Sequence, residues 1–254
     1  MSMLGSSGLG VAVGDRVLVD GLDLAVDGGQ FVGMLGENGA GKTTTLHVLA
    51  GLREPRAGHV TLDDRRLETW ARRDVARRLG LLMQNYEDPF PTTVLETVLI
   101  GRHPHIDFWR WETARDERLA LTALELVDLA ELGDRSVASL SGGERRRLAL
   151  AMILAQDPQV FLLDEPVTHL DPAHQRDVMR LMRERADSGR CVVAVLHDIN
   201  DAARYCDRCL LLFGSGDWLC GATADVLTER NLSRLYGVEI LALEMDGRRF
   251  FVSA

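Results

Sequence analysis

Short, unbroken apolar runs recur along the chain, each closed by Gly, Pro or a polar residue: FVGML at 31–35, VFLL at 160–163, CVVAVL at 191–196 and CLLLF at 209–213. A strand with one face in water alternates apolar and polar residues, whereas a strand covered on both faces can be apolar throughout. These runs predict buried strands of an α/β sheet flanked by helices. Between about 87 and 155 they vanish. There TVLETVLIGR, ARDERLALTALELVDL and ERRRLALAMILAQ space their apolar residues at three and four, the period of a helix covered on one side. ADVLTERNLSRLYG predicts a further helix closing on Gly237, and VEILALEMDGRRFFV a hairpin turning at Asp246 and Gly247. DDRRLETWARRDVARRLG reads as a polar, helical stretch whose arginines form a solvated face among acidic neighbours.

The pattern divides one domain into a core of residues 1–84 and 156–221, a helical subdomain of 85–155, and a C-terminal helix and hairpin of 222–254. With 254 residues, 46% of them hydrophobic, the chain can bury a substantial core. Its net charge of -9 gives the whole molecule no attraction for nucleic acid, so none is expected as a partner. No apolar run approaches the ~20 residues of a membrane span, and the start MSMLGSSGLGVAVGD lacks a basic leader, so a cytoplasmic protein is expected. Of the four cysteines, Cys206 and Cys209 form a CxxC, but Cys209 opens a strand-like run; structural thiols are expected for all four.

Chemistry enters at GENGAGKTT, residues 36–44, which fits GxxxxGK[ST] between a strand and a helix. Gly36, Gly39 and Gly41 let the backbone turn several N–H groups towards a β-phosphate. Lys42 adds a charge between β- and γ-phosphates, and the Thr43 hydroxyl can ligate Mg²⁺. The whole run, with Glu37, Asn38, Ala40 and Thr44, is a candidate site for a nucleoside triphosphate. QVFLLDEP supplies an apolar strand ending in Asp164 and Glu165, one suited to hold Mg²⁺ through water and the next to polarise an attacking water.

LSGGE, Leu140 to Glu144, matches the signature sequence of the ATP-binding cassette ATPases, and the chain resembles that family over nearly its whole length. The resemblance implies a P-loop NTPase (RecA-like) α/β core with an inserted α-helical subdomain and a small antiparallel β region. It also implies two ATPase subunits meeting head to tail, with Ser141, Gly142 and Gly143 of each contacting the ATP held by the other. Arg145, Arg146 and Arg147 are then expected on a polar helix face or at acidic residues of the seam. Gln84 in LLMQN matches the Q-loop that contacts the metal, Asp171 in THLD the D-loop at the seam, and His197 in VAVLHD the switch histidine at the γ-phosphate. A helix N-cap at Asp171 would look the same. The implied cofactors are ATP and Mg²⁺.

Two positions depart from the family pattern. Val13 stands where an aromatic residue usually stacks on adenine, which predicts looser nucleotide binding, and Val167 stands where threonine commonly follows Glu-Pro. Fewer than a hundred positions separate Thr43 from Ser141, room for a helical subdomain and not for a long coiled-coil arm. GRHPH, HLDPAHQ and LTERNLSRLYGVEI resemble the importer branch that handles iron-siderophore complexes, haem and cobalamin. That resemblance implies a homodimer on the cytoplasmic face of the inner membrane, docked on a separate permease through residues 85–111, including Trp109 and Trp111, and served indirectly by an external substrate-binding protein. The GRHPH histidines are read as part of a loop rather than a metal site. The alternatives are a soluble ATPase of this family working on a nucleic-acid or ribosomal complex, or a transporter subunit for unrelated cargo.

Overall fold

The computed structural model describes residues 2–84, 91–107, 109–245 and 247–254. Its chain forms two compact units: Met1–Thr69 with Met182–Ala254, and Trp70–Leu181.

The first unit begins with two twelve-residue strands, β1 (Ser2–Val13) and β2 (Arg16–Asp27), followed by β3 (Phe31–Leu35), α1 (Lys42–Leu49), β4 (Ala57–Leu62) and the two-residue β5 (Arg65–Arg66). Strands β2, β1, β4 and β5 make an antiparallel sheet. The register of β1 on β2 shifts at four places, at Ser2/Leu4, Ser6/Leu9, Leu9/Val11 and Val11/Ala12. Those bulges break the alternation that would have marked β1 and β2 as strands in the sequence.

The second unit holds α2 (Arg72–Arg78), β6 (Leu79–Leu82), α3 (Val94–Ile100), α4 (Ala114–Leu126), α5 (Gly142–Gln156) and β7 (Val160–Asp164). Strands β6 and β7 pair in parallel, with Leu82 opposite Leu163. Three helices here start on the same device, a capping box: Thr93 with Glu96, Thr113 with Asp116, and Ser141 with Glu144. Helix α5 buries most of its second half, including Leu148, Leu150, Ile153 and Leu154, and ends where Asp157 turns left-handed before Pro158.

Helix α6 (Pro172–Asp187) leads back to the first unit, where β8 (Cys191–Val195), α7 (Ile199–Tyr205), β9 (Arg208–Leu212), β10 (Trp218–Ala222), α8 (Thr223–Val226), α9 (Glu229–Tyr236), β11 (Ile240–Met245) and β12 (Arg248–Ser253) follow. Strand β3 lies between β8 and β9 and runs parallel to both, with all five residues buried, as FVGML implies. Its start is pinned: Asp207 Oδ2 accepts the Phe31 N–H (2.7 Å) and Arg183 Nη1 (2.7 Å), while Arg183 also donates to the Gly29 carbonyl (3.1 Å).

Several expectations are sharpened or corrected. The arginine-rich stretch forms a 3₁₀ turn at Leu67–Thr69 and an α-helix only over Arg72–Arg78, and its arginines are partly structural: Arg73 and Arg77 donate to the Pro104 carbonyl at 3.0 and 2.7 Å. GRHPH contributes a short 3₁₀ turn, His103–His105, with His105 Nε2 2.9 Å from the Gln156 carbonyl. The hairpin β11–β12 forms, and Asp246 at its turn lies outside the described residues, as do 85–90 and 108 of the segment expected to meet a permease. Cys191, Cys206 and Cys209 are buried, and burial pushes the Cys191 thiol up to about 12 and Cys209 to about 11, which suits inert core thiols.

Candidate functional site

The candidate residues of the first unit gather at one edge of its parallel strands. The loop 36–44 leaves the end of β3, and His197 follows β8, whose Val195 is in register with Met34. The Leu196 N–H donates to the Met34 carbonyl (3.0 Å), so the exposed His197 and Gly36 leave neighbouring strands on the same side.

Within the loop, glycine is demanded by the backbone and by its neighbours. Gly39 and Gly41 have φ of 81° and 99°, in the left-handed region. A Cβ at Gly36 would stand 2.6 Å from the Leu212 carbonyl oxygen, and one at Gly41 2.8 Å from the Cβ of Leu18. The Ala40 N–H closes the turn on the Glu37 carbonyl (3.1 Å). Helix α1 then opens at Lys42, and a helix start in general presents N–H groups and a positive dipole end that attract an anion. Lys42 is 6% exposed, and its Nζ donates to the Gly36 (2.7 Å) and Glu37 (3.0 Å) carbonyls. The ammonium is thus folded into the loop. Thr43 and Thr44 are half-buried in the first turn of α1, while Glu37, Asn38 and Gly39 are exposed.

The second unit holds the remaining candidates. Asp164, fully buried, ends β7, and Gln84 stands exposed just beyond the paired β6. Glu165 follows with φ of 52°, a left-handed conformation that a residue with a side chain adopts at a cost. The Thr168 N–H donates to the Glu165 carbonyl (3.2 Å), and the Thr168 hydroxyl to Glu165 Oε2 (3.2 Å).

Ser141 caps α5: its Oγ accepts the Glu144 N–H (3.3 Å), while Glu144 Oε2 accepts the Ser141 N–H (2.7 Å). That backbone hydrogen bond from Ser141, with the one from its hydroxyl, holds the Glu144 carboxyl below its ordinary range. Glu144 is therefore a structural part of the signature that sequence reasoning left without a role, although S-x-x-E is itself a capping signal. Asp171 caps α6, accepting from the N–H groups of Ala173 (2.9 Å) and His174 (3.0 Å), the alternative its sequence position allowed. A Cβ on Gly143 would lie 3.3 Å from the His169 carbonyl, so the signature and the Asp171 segment pack together.

Of the three arginines after the signature, Arg145 is exposed and Arg147 half-buried, but Arg146 is buried, so the three do not share one polar face. Arg145 donates to the Ala138 carbonyl (3.0 Å) and Arg147 to those of Val127 (2.8 Å) and Asp128 (2.9 Å). Arg146 is buried at 7% exposure and donates to four carbonyls: Met83 (2.6 Å), Gln84 (3.2 Å), Asp164, and Glu165 (2.6 Å). Its acceptors lie up to 63 residues away in the chain, so no local pattern could have revealed them.

Residues 19–168 match the family model for the ABC transporter. The chain belongs to the ABC transporter family. It is 38% identical over 238 residues to the ferric enterobactin transport ATP-binding protein FepC of Escherichia coli (strain K12), covering 93% of this chain and 88% of that one. It is 41% identical over 244 residues to the hemin import ATP-binding protein HmuV of Pseudomonas aeruginosa strain PAO1, covering 94% of each. Among solved structures, a metal-chelate type ABC transporter in an inward-facing conformation superposes with a TM-score of 0.86 at 28% identity, covering all of this chain and 98% of that one. The protein is an ABC transporter ATPase with the mixed α/β fold of its family, and its ATP hydrolysis is coupled to transport. Among the described residues no helix is long and apolar enough to cross a membrane.

Proposed function

We propose that this ATPase powers uptake of a metal chelate, an iron-siderophore complex or haem, through a separate permease. The observation that carries the reading is near-full-length identity of about 40% to ATPases named for ferric enterobactin and hemin import. In this reading two copies work as a pair on the cytoplasmic face of the membrane. Trp109 and Trp111, 90% and 88% exposed, belong to the surface that meets the permease, since large apolar side chains held in water are what a partner would cover.

The loop 36–44 and Lys42 hold the phosphates of ATP, with His197 at the γ-phosphate. Glu165 takes a proton from the attacking water as its oxygen bonds to the γ-phosphorus and the bond to the β–γ bridging oxygen breaks, giving ADP and phosphate. Ser141, Gly142 and Gly143 of one copy, with Asp171 at the seam, close on the ATP of the other. Thr43 offers a hydroxyl, and Asp164 and Gln84 offer carboxylate and amide oxygens, the hard donors that suit Mg²⁺, an ion that keeps several waters and phosphate oxygens. Bound there, Mg²⁺ would neutralise charge on the β- and γ-phosphates.

The test is recovery of partners on tagged Glu165→Gln from native membranes, with and without ATP, identified by mass spectrometry. Retrieval of a polytopic permease encoded with a chelate-binding protein is expected. Retrieval of ribosomal or DNA-bound proteins alone would overturn the transport assignment.

A further inference from the structure

Catalysis by a carboxylate requires its carboxyl group to stand at the correct place, and the backbone beneath it decides that. Glu165 departs from β7 in a left-handed conformation, φ 52°, which an ordinary residue keeps only where its surroundings over-determine it. Two groups bind its carbonyl oxygen: the Thr168 N–H at 3.2 Å and Arg146 Nη2 at 2.6 Å. The same Nη2 also holds the Asp164 carbonyl, and Nη1 holds those of Met83 (2.6 Å) and Gln84 (3.2 Å). One guanidinium, rooted in the second turn of the signature helix, thereby grips the peptide units beneath Gln84, Asp164 and Glu165. Its planar fork suits this task, because two nitrogens set at a fixed angle impose a geometry on two separate chain segments that a point charge could not.

Resting on the reading of Glu165 as the residue that activates water, we propose that Arg146 is a positioning residue for hydrolysis, fixing through four backbone carbonyls the conformation from which Glu165 acts. The plain alternative is a buried arginine that only satisfies strand-end carbonyls. A structural role of that kind would lower stability without regard to Glu165. A positioning role acts through Glu165 and fades when that carboxylate is gone.

The experiment compares the full-length chain with Arg146→Gln, Arg146→Lys, Glu165→Gln and the double variant Arg146→Gln/Glu165→Gln. It reads kcat, KM, ATP affinity and thermal unfolding. Arg146→Gln is expected to lower kcat by ~10- to 100-fold, the scale of a small misplacement, with ATP affinity within about threefold of the parent. Arg146→Lys, which keeps the charge but not the fork, should recover part of that loss. In the Glu165→Gln background the same Arg146 change should cost less than about threefold, the mark of two residues acting as one unit. Parental kcat in Arg146→Gln, or an equal loss in both backgrounds, overturns the proposal. If Arg146→Gln does not fold, Arg146→Lys decides: its kcat falls under the proposal and stays parental otherwise. Normal turnover by Glu165→Gln would instead reject the role given to Glu165, and the positioning role with it.

Discussion

A methyl group at Gly41 would stand 2.8 Å from the Cβ of Leu18 on a backbone with φ of 99°, whereas at Gly142 the same methyl would meet nothing within 4 Å. The first glycine is required by the fold of its own loop. The second has room for a side chain inside this chain, so any need for glycine there must come from something outside it. A similar contrast separates the two cations. Lys42 reaches two carbonyls of its own loop through a flexible stem and, in the proposed function, exchanges them for phosphate oxygens. Arg146 binds four carbonyls on two distant segments and has no equivalent exchange to make. The glycine loop of 36–44 is thus shaped by local backbone geometry, and the carboxylate end of β7 by long-range side-chain bonds.

The largest effects should separate binding from hydrolysis. Lys42→Ala should lose measurable ATP binding, while Glu165→Gln should bind ATP as the parent does and hydrolyse it ~10²-fold more slowly or worse, as removal of a general base predicts. Equilibrium binding beside a phosphate-release assay checks both. Normal binding and turnover in Lys42→Ala would end the reading of the loop as the phosphate site.

The glycine pair provides the next test. Gly41→Ala should unfold earlier, by ~1 to 3 kcal/mol in a urea titration, and bind ATP poorly, because strain and overpacking fall on the loop itself. Gly142→Ala should keep parental stability within about 0.5 kcal/mol, as an exposed helix start allows, yet fail to form the ATP-dependent pair in light scattering. An ATP-dependent pair forming normally in Gly142→Ala would remove the ground for placing that glycine at a partner's nucleotide.

Away from the nucleotide, the second unit carries another long-range bond set. Arg102 Nε binds Asp116 at 3.0 Å and Nη1 the Ala155 carbonyl at 2.7 Å, with both side chains buried. Hydrogen bonding from Thr113, opposed by burial and aided by Arg102, lowers Asp116 from 3.8 to about 2. A carboxyl depressed on folding adds stability above its unfolded value, so this contribution is present above about pH 4 and is lost as pH falls through about 2. Arg102→Ala should cost about 3 kcal/mol in chemical denaturation at neutral pH, since it strands a buried carboxylate.

These regions were unequally legible in the sequence for the same physical reason. The buried strands β3, β7 and β8 announce themselves as apolar runs, and the loop 36–44 as glycines at fixed spacing between a strand and a helix, because the forces that shape them act over a few residues. Strands β1 and β2 were not assigned, since four register shifts scramble their alternation. Arg146 reads in the sequence as part of a polar helix face or a partner of acidic residues at the seam, and Arg102 carries no local signal, because the partners of both are brought near only by folding.

The smallest predicted effect concerns Val13, the position where the family pattern leads one to expect a ring on the base of ATP. Val13 ends β1 half-exposed, at 50%, beside a tight turn at Gly14 with φ of 56°. A larger ring there would displace water rather than core, so Val13→Tyr should leave stability within about 0.5 kcal/mol of the parent. If the base of ATP lies against this position, the new ring adds stacking of ~1 to 3 kcal/mol and ATP affinity rises about fivefold or more. Inorganic tripolyphosphate, which has phosphates and no base, should bind both forms alike, and that comparison isolates the ring from the loop. An ATP affinity no tighter in Val13→Tyr than in the parent would mean that the base lies elsewhere, and that the absence of an aromatic residue at Val13 costs this ATPase nothing.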